Sequence, residues 1–381
     1  MIQSDVSSIF FLSAGLAGIC AIATVYPYVV YPALLRLLPV RPIVCADGSL
    51  SFSLLFCAYN EADSLPKKLE NIRVLKGRHP DLQVLAFDDG SNDGTYELLS
   101  ADPGLITTVR GEGRSGKARG MKTLARLATG EVLVFTDANV VLDAFALDRL
   151  RPYYGDPEVG GVCGTLLYEN DGTSPTSKVG ALYWRLEEAT KALESRTGSV
   201  MGGDGSIFSI RRSLYPEFPD TVLDDLTVSM SPVFAGKRLV RAPDVVAYER
   251  CVTQRHEEFA RKVRIAARAF HTNRVLLPQL RRMSLINRFK YGSRKLVRWF
   301  GAIPLAVGTL AALVAAACIS PAALAVLAGL IVLAGVLAAG ARHGPLAAGA
   351  EILIAMGATA IGVFKAMQGQ TMVTWAPPKS R

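Results

Sequence analysis

The chain has 381 residues, 50% of them hydrophobic and 20% charged, and 42 Lys and Arg against 33 Asp and Glu leave a formal net charge of +9. That length suits roughly two domains with a substantial core, and the composition excludes a disordered chain, a collagen and a small disulfide scaffold. A mean hydropathy of +0.28 beside a pI of about 9.3 does not fit one soluble domain, so apolar and basic residues are expected in separate segments.

The first such segment runs from Ile9 to Leu38 with no charge before Arg36, long enough to cross a hydrocarbon core of about 30 Å. MIQSDVSS, ahead of it, lacks the basic region of a signal peptide, so residues 1–44 read as an uncleaved anchor. Arg36 and Arg41 follow the apolar run, which by the positive-inside rule places the N-terminus outside and the chain from residue 45 onward in the cytoplasm.

A soluble domain is expected over residues 45–278. SFSLLFCAY (51–59) has the short apolar run of a buried strand, NEADSLPKKLENIRVLK (60–76) reads as a helix, and DLQVLAFDDGS (81–91) as a strand ending in acids. LITTVR (105–110) is a strand, GKARGMKTLARLA (116–128) a helix and EVLVFTDAN (131–139) another strand. Strands alternating with helices imply an α/β domain on a mainly parallel, Rossmann-like sheet, and such sheets bind ligands at the carboxyl ends of their strands. Those ends carry Tyr59, Asn60 and Glu61, then Asp88 and Asp89, then Asp137 and Asn139. Acids on three strand ends are expensive unless a cation or a donor-rich ligand sits among them.

Residues 279–298 form a basic segment with interleaved apolar side chains, suited to a helix lying on anionic headgroups, with Arg281 and Arg282 as headgroup contacts. Three apolar stretches follow, 299–320, 321–340 and 346–364, each near the length of a span and punctuated by Pro321 and ARHGP. Residues 299–368 are thus about three transmembrane helices, with Glu351 near an interface or facing other helices. Three spans put the tail 369–381 outside, whereas its WAPPKSR end is basic. The six cysteines (Cys20, Cys45, Cys57, Cys163, Cys251, Cys318) form no CxxC and the histidines at 79, 256, 271 and 343 no cluster, so a reducing compartment and no zinc site are expected. The basic excess lies beside the membrane without an aromatic platform, which argues against nucleic acid.

One stretch points elsewhere. Gly111, Gly113 and Gly116 spell G-x-G-x-x-G, and GEGRSGKA nearly spells a phosphate-binding P-loop between a strand and a helix. Position 118 is Ala, so the magnesium-ligating hydroxyl of a P-loop is absent, and neither nucleotide reading accounts for Asp88 and Asp89. A membrane NTPase, losing ATP hydrolysis with Lys117→Ala, and a non-catalytic scaffold, keeping its cellular role after Asp225→Asn, stay open as alternatives.

Seven segments occur in order: AYNEADSL (58–65), FDDGSNDGT (87–95), GRSGKARGMKTL (113–124), FTDAN (135–139), GGDGSIFSIRR (202–212), LDDLTVS (223–229) and EEFARKVRIAARAF (257–270). Together they resemble the inverting membrane glycosyltransferases of family 2, related to cellulose, chitin and exopolysaccharide synthases. The resemblance implies a GT-A fold, a nucleotide diphosphate sugar, commonly a UDP-sugar, as donor, and Mg2+ or Mn2+ as cofactor. It implies that Tyr59, Glu61, Asp88 and Asp89 line the nucleoside pocket, that Arg114 and Lys117 face the uridine or pyrophosphate, and that Asp137 with Asn139 holds the metal. Asp225 would be the general base, and Gly203, Asp204 and Asp224 would meet a lipid-linked or glycan acceptor at the inner membrane. A helix N-terminal cap is the competing role for Asp224 and Asp225. The chemistry suits these residue types, because a diphosphate leaves with growing negative charge and an acceptor hydroxyl needs a carboxylate to take its proton. Two departures stand out: Arg264 occupies the arginine place of the family's Q-x-x-R-W motif but Ile265 replaces its Trp, which puts a long polymer channel in doubt, and Asn139 replaces a second metal carboxylate.

Overall fold

The computed structural model describes residues 2–46, 48–169, 175–250, 254–340 and 344–374. The tail from residue 375, Cys251, His343 and the side chain of Tyr183 lie outside the described residues.

The N-terminal apolar run forms α1 (Ile2–Val25) and the short α2 (Val30–Arg36). The soluble domain then builds β1 (Phe52–Ala58), α3 (Leu65–Arg78), β2 (Gln83–Asp88), α4 (Thr95–Ser100), β3 (Thr107–Arg110), α5 (Lys117–Leu127) and β4 (Val132–Thr136). These match the alternation expected from the sequence. β1 and β4 are buried along their whole length, as continuous apolar runs covered on both faces must be. In α3, Pro66 sits in the first turn, where its missing N–H costs nothing, and Leu65, Lys68, Ile72 and Leu75 repeat at helical spacing to make the buried face.

Beyond Asn139 come β5 (Val141–Leu142), α6 (Ala146–Leu150), β6 (Val159–Tyr168), α7 (Pro175–Arg196), β7 (Ile207–Arg211), α8 (Asp224–Phe234) and β8 (Arg238–Glu249). The eight strands order as β3-β2-β1-β4-β7-β6-β8-β5. The half from β3 to β4 is parallel. β7 then runs antiparallel to both β4 and β6, while β6 and β8 are parallel. The mixed half escapes a pattern reading because β6 is diluted by glycine. A Cβ at Gly164 would lie 2.6 Å from the Val245 carbonyl oxygen, and one at Gly160 2.7 Å from Leu214, so close packing requires these glycines although they weaken the strand signal.

Side chains alternate along the central strands. Leu54, Phe56, Val132 and Val134 enter one core layer with Ile72 and Leu75 of α3. Leu55, Cys57, Leu133 and Phe135 enter the other with Met121 and Leu124 of α5 and Leu226 and Met230 of α8.

The chain leaves the domain through α9 (Arg255–Arg282), α10 (Leu285–Tyr291), a π-helical turn over Gly292–Leu296 and α11 (Val297–Trp299). This basic segment departs from the surface helix expected there. Lys290 and Arg294 point inward and are fully buried, whereas Leu285 (80% exposed), Ile286, Phe289 and Leu296 face out. The apolar face is therefore the one offered to a bilayer, and several charges serve the protein interior. Three apolar helices follow, α12 (Ala302–Ile319), α13 (Pro321–Gly340) and α14 (Gly344–Met367). Among the described residues Val6–Val25, Ala302–Ile319 and Gly349–Met367 are long and apolar enough to cross a membrane, and Pro321–Leu337 is a shorter apolar stretch. α1 packs on α12, where a Cβ at Gly308 would lie 2.7 Å from that of Cys20. Glu351 is buried within the protein, as a carboxyl in such a helix must be to avoid lipid.

Both ends of this C-terminal unit meet the sheet domain. Arg298, just before α12, bonds Glu187 of α7. A Cβ at Gly362 of α14 would lie 2.7 Å from that of Ala266 of α9, and one at Gly116 would lie 2.8 Å from Val373. The chain up to Thr374 therefore ends beside the sheet domain.

Candidate active site

The carboxyl ends of β1, β2 and β4 share one edge, since Ala58 is level with Asp88 and Leu55 with Phe135. In the first corner of that edge Asp89 is fully buried. Its Oδ1 accepts from the Ser115 backbone N–H (2.7 Å), the Ser115 hydroxyl (2.9 Å) and the Gly116 N–H (3.0 Å), and Arg114 Nε lies 3.3 Å from Oδ2. The Arg114 guanidinium carbon sits 3.2 Å from the centroid of the Tyr59 ring. Gly90 (φ +78°) lets this turn close, because a Cβ there would lie 3.0 Å from the Gly113 carbonyl carbon. Asp88 is also fully buried and accepts from the Ser91 N–H at 3.3 Å. The Glu61 N–H donates to Thr95 Oγ1 at 2.8 Å, which ties the loops after β1 and β2 together. Tyr59, Asp89 and Arg114 thus form one planar-walled, charged corner.

The same contacts overturn the P-loop alternative. A phosphate-binding loop presents its N–H groups to the phosphate, but here the Ser115 and Gly116 N–H groups are already directed at the Asp89 carboxylate.

The second cluster surrounds Lys117, the first residue of α5. Its Nζ lies 2.5 Å from Asp137 Oδ1 and 4.0 Å from Asp224 Oδ2. Burial alone would depress this lysine, but the carboxylates of Asp137, Asp224 and Asp225 outweigh it and hold the ammonium well above its ordinary range. Asp224 and Asp225 open α8, whose N-cap residue Leu223 makes no side-chain cap bond. Asp225 Oδ1 accepts from the first-turn Leu226 N–H at 2.6 Å, so this carboxylate also satisfies a free helix N–H. Burial first and the neighbouring Asp224 charge second push Asp225 up to about 6. Gly205 closes the cluster: a Cβ there would lie 3.0 Å from Lys117 Nζ, 3.4 Å from Asp137 Oδ2 and 3.6 Å from Asp225 Oδ2. Only a residue without a side chain leaves that space open. Arg264 of α9 faces the same cluster; burial, Arg268 and Arg261 push it down to about 10, against the pull of Asp225 and Asp137.

Two partners fix the loop after β4. Lys68 of α3 is fully buried and donates to the Val140 carbonyl at 2.6 Å, and burial pushes its ammonium down to about 7 although Asp137 opposes this. Asn139 Nδ2 donates to Glu249 Oε1 at 2.9 Å. Asp137 Oδ2, turned to the Gly205 space, and the Asn139 carbonyl oxygen are hard oxygen donors that suit Mg2+ or Mn2+. Among the described residues no group of three His, Cys, Asp or Glu side chains forms a ready-made cage, so a cation here would draw further oxygens from a ligand.

The loop before β7 departs from a simple acceptor-facing turn. The Gly203 N–H donates to Ser229 Oγ at 2.8 Å, and a Cβ on it would meet Cys163 Sγ at 3.1 Å, so this residue packs inward. Asp204 Oδ2 accepts from Lys191 Nζ at 2.6 Å, and Lys191 in turn bonds Glu188 at 2.7 Å. Trp184 lies beside this group, with Lys191 Nζ 4.7 Å from its ring centroid. Lys68, Glu249, Lys191 and Arg268 escaped the sequence reading. The signal was present in Glu187, Lys191 and Glu194, at helical spacing on one face of α7, but a charged stripe reads as solvated until the fold buries it.

This sheet edge defines an α/β domain of the GT-A class. Residues 53–218 match the family model for glycosyl transferase family 2. The chain is 25% identical over 222 residues to an N-acetylglucosaminyltransferase of Rhizobium meliloti (strain 1021), covering 54% of this chain and 52% of that one. It is 23% identical over 188 residues to a poly-beta-1,6-N-acetyl-D-glucosamine synthase of Staphylococcus epidermidis, covering 46% of this chain and 44% of that one. The chain therefore spans about half the length of these two curated relatives. A mannosyltransferase of Pyrobaculum calidifontis, solved with GDP-Man and Mn2+, superposes with a TM-score of 0.72 at 22% identity, over 92% of this chain and 99% of that one. Residues 53–218, within the domain carried by the eight-stranded sheet, thus match glycosyl transferase family 2, and the chain is similar over part of its length to an exopolysaccharide synthase.

Proposed function

We propose that the protein is a membrane-bound, metal-dependent, inverting glycosyltransferase. It transfers a sugar from a UDP-sugar to a lipid-linked or glycan acceptor, at the cytoplasmic face of the inner membrane. The observation that carries this reading is the meeting of Lys117, Asp137 and Asp225 around Gly205.

Asp225, raised to about 6, is mainly ionised at neutral pH yet basic enough to accept a proton in the transition state. The acceptor hydroxyl passes its proton to Asp225 while its oxygen bonds to the anomeric carbon. The bond from that carbon to the diphosphate oxygen breaks on the opposite face, and the diphosphate leaves with the electron pair. One displacement inverts the configuration. Lys117 and Arg264 oppose the charge growing on the diphosphate, and Tyr59, Arg114 and Asp89 frame the nucleoside. A bound Mg2+ or Mn2+, held by Asp137 and Asn139, would neutralise the diphosphate as a Lewis acid.

The relatives named above make UDP-N-acetylglucosamine the first donor to try. Full-length protein in lipid nanodiscs, offered a panel of UDP-sugars, should release UDP with one of them, and mass spectrometry of the product identifies the acceptor. Asp225→Asn should slow transfer about 10²- to 10⁴-fold while UDP binding survives. Transfer at the wild-type rate by Asp225→Asn sinks the assignment of the base.

A further inference from the structure

In the buried group ahead of α12 the charges are paired, whereas Arg281, Arg282 and Arg288 lie exposed. Arg294 Nη1 meets Glu194 Oε2 at 2.5 Å and its other nitrogens meet Glu187, while Arg298 Nη1 meets Glu187 Oε2 at 2.6 Å. The Tyr31 hydroxyl donates to Glu194 Oε1 at 2.6 Å. Lys290 donates to the carbonyls of Glu194 (3.0 Å) and Thr197 (3.1 Å). In the adjoining group Lys191 and Arg241 balance Glu188 and Asp204. The exception is Lys295, partly buried in the π-helical turn, which has no hydrogen-bond or ion-pair partner among the described residues. Three cations, Arg294, Lys295 and Arg298, face two carboxylates, Glu187 and Glu194, and Lys295 is the surplus one. Burial and the neighbouring Arg294 push its ammonium down to about 8. A desolvated, unpaired ammonium is costly, and a ligand anion would relieve that cost.

Its position says which anion. A Cβ on Gly202 (φ +97°) would lie 3.8 Å from Lys295 Cε and 3.9 Å from Nζ. Gly202 opens the loop that ends at Gly205, beside Lys117, Asp137 and Asp225. Three residue steps span at most about 11 Å, a distance that one sugar residue bridges. On the other side, Lys295 precedes Ala302, the first residue of the α12 span, by seven positions, about 10 Å of helix. With the helix broken between Trp299 and Ala302 the rise is at most that, which sets Lys295 at the headgroup layer bordering the hydrocarbon core. The exposed side chain of Leu296 turns the same segment toward lipid.

We infer that Lys295 binds the phosphate of a lipid-linked acceptor, a sugar joined through a phosphate or diphosphate to a membrane lipid, so that the sugar hydroxyl reaches Asp225. This rests on the transferase reading above and narrows its acceptor to an anionic lipid-linked sugar.

The test needs no turnover. Binding of a short-chain prenyl diphosphate N-acetylglucosamine and of octyl N-acetylglucosaminide, the same sugar on a neutral chain, is measured by fluorescence to full-length protein in phosphatidylcholine nanodiscs without donor. Wild type should bind the diphosphate form at least about tenfold more tightly, Lys295→Ala should bring the two within about twofold, and Lys295→Arg should keep most of the preference. Octyl glycoside affinity, UDP affinity and thermal midpoint should not change, which excludes a folding defect. If Lys295→Ala keeps the preference, or wild type has none, the inference is overturned. It is equally overturned if phosphatidylglycerol in the nanodisc erases the wild-type preference, because Lys295 would then hold a bilayer headgroup. The transferase reading fails separately, if wild type consumes no nucleotide sugar with any acceptor.

Discussion

Replacing Asp224 by Asn should make Asp225 a stronger acid and move the acid limb of the rate profile. Burial and the Asp224 charge hold Asp225 at about 6, against an ordinary aspartate value of 3.8. Its base form is therefore lost as pH falls through about 6 and is nearly complete at pH 7. Asp224→Asn removes a like charge while Lys117 and the Leu226 N–H remain to favour the carboxylate, so the limb should fall on the order of one unit. At pH 5 about a tenth of wild-type Asp225 is ionised and about half of it in the variant, a roughly fivefold difference in rate relative to the plateau. Stability offers a second reading. A carboxylate raised in the folded state binds its proton more tightly there than when unfolded, so stability is lost as pH rises from about 4 to about 6. Asp225→Asn, which cannot ionise, should thus be more stable than wild type at pH 7, by up to about 3 kcal/mol at 1.36 kcal/mol per unit. The assay is UDP release as kcat/KM between roughly pH 4.5 and 8.5 at constant ionic strength, where Asp225→Asn should lie about 10²- to 10⁴-fold lower. An acid limb that does not move in Asp224→Asn, or that persists in Asp225→Asn, refutes the reasoning.

Chelation with EDTA should stop sugar transfer and Mn2+ or Mg2+ should restore it, whereas Asp137→Ala should resist rescue; unimpaired transfer in EDTA would contradict a metal at this site. Gly116→Ala adds a Cβ 2.8 Å from Val373, at φ +89°, so it should displace the segment after α14 and weaken UDP binding, read by calorimetry; unchanged affinity would mean that this contact is unimportant. Arg294→Ala leaves Glu187 and Glu194 buried without their shared partner and should cost about 3–5 kcal/mol, visible as a large fall in thermal midpoint while a surface change such as Arg73→Ala leaves the midpoint in place.

The parallel half of the sheet was legible because its strands are unbroken apolar runs, each ending in polar residues. Tyr59, Asp89 and Asp137 stood out for that reason, Lys117 and Asp225 through the resemblance of their segments to family 2, and the structure brings them to one edge. The glycines of β6 hid the mixed half, since Gly160, Gly161 and Gly164 are demanded by close neighbours rather than by local preference. Buried charge was invisible for a different cause. Lys290 and Arg294 look like headgroup contacts in a basic stretch, and only tertiary packing sets them against the backbone of α7 and against Glu187 and Glu194.

That buried network bears on how the two halves of the molecule work together. Glu194 of α7 holds Tyr31, from the chain just after the first span, and Arg294, from the chain just before the second, on its two oxygens. Its neighbour Glu187 holds Arg294 and Arg298. Buried ion pairs are a poor source of stability, because removing two charges from water offsets most of what their attraction returns. They are strongly directional, however, and a bidentate arginine accepts few geometries. An apolar seam of equal area would let the catalytic domain slide against the membrane helices. Glu187 and Glu194 instead fix its height against those helices, and with it the loop from Gly202 to Gly205 that follows α7.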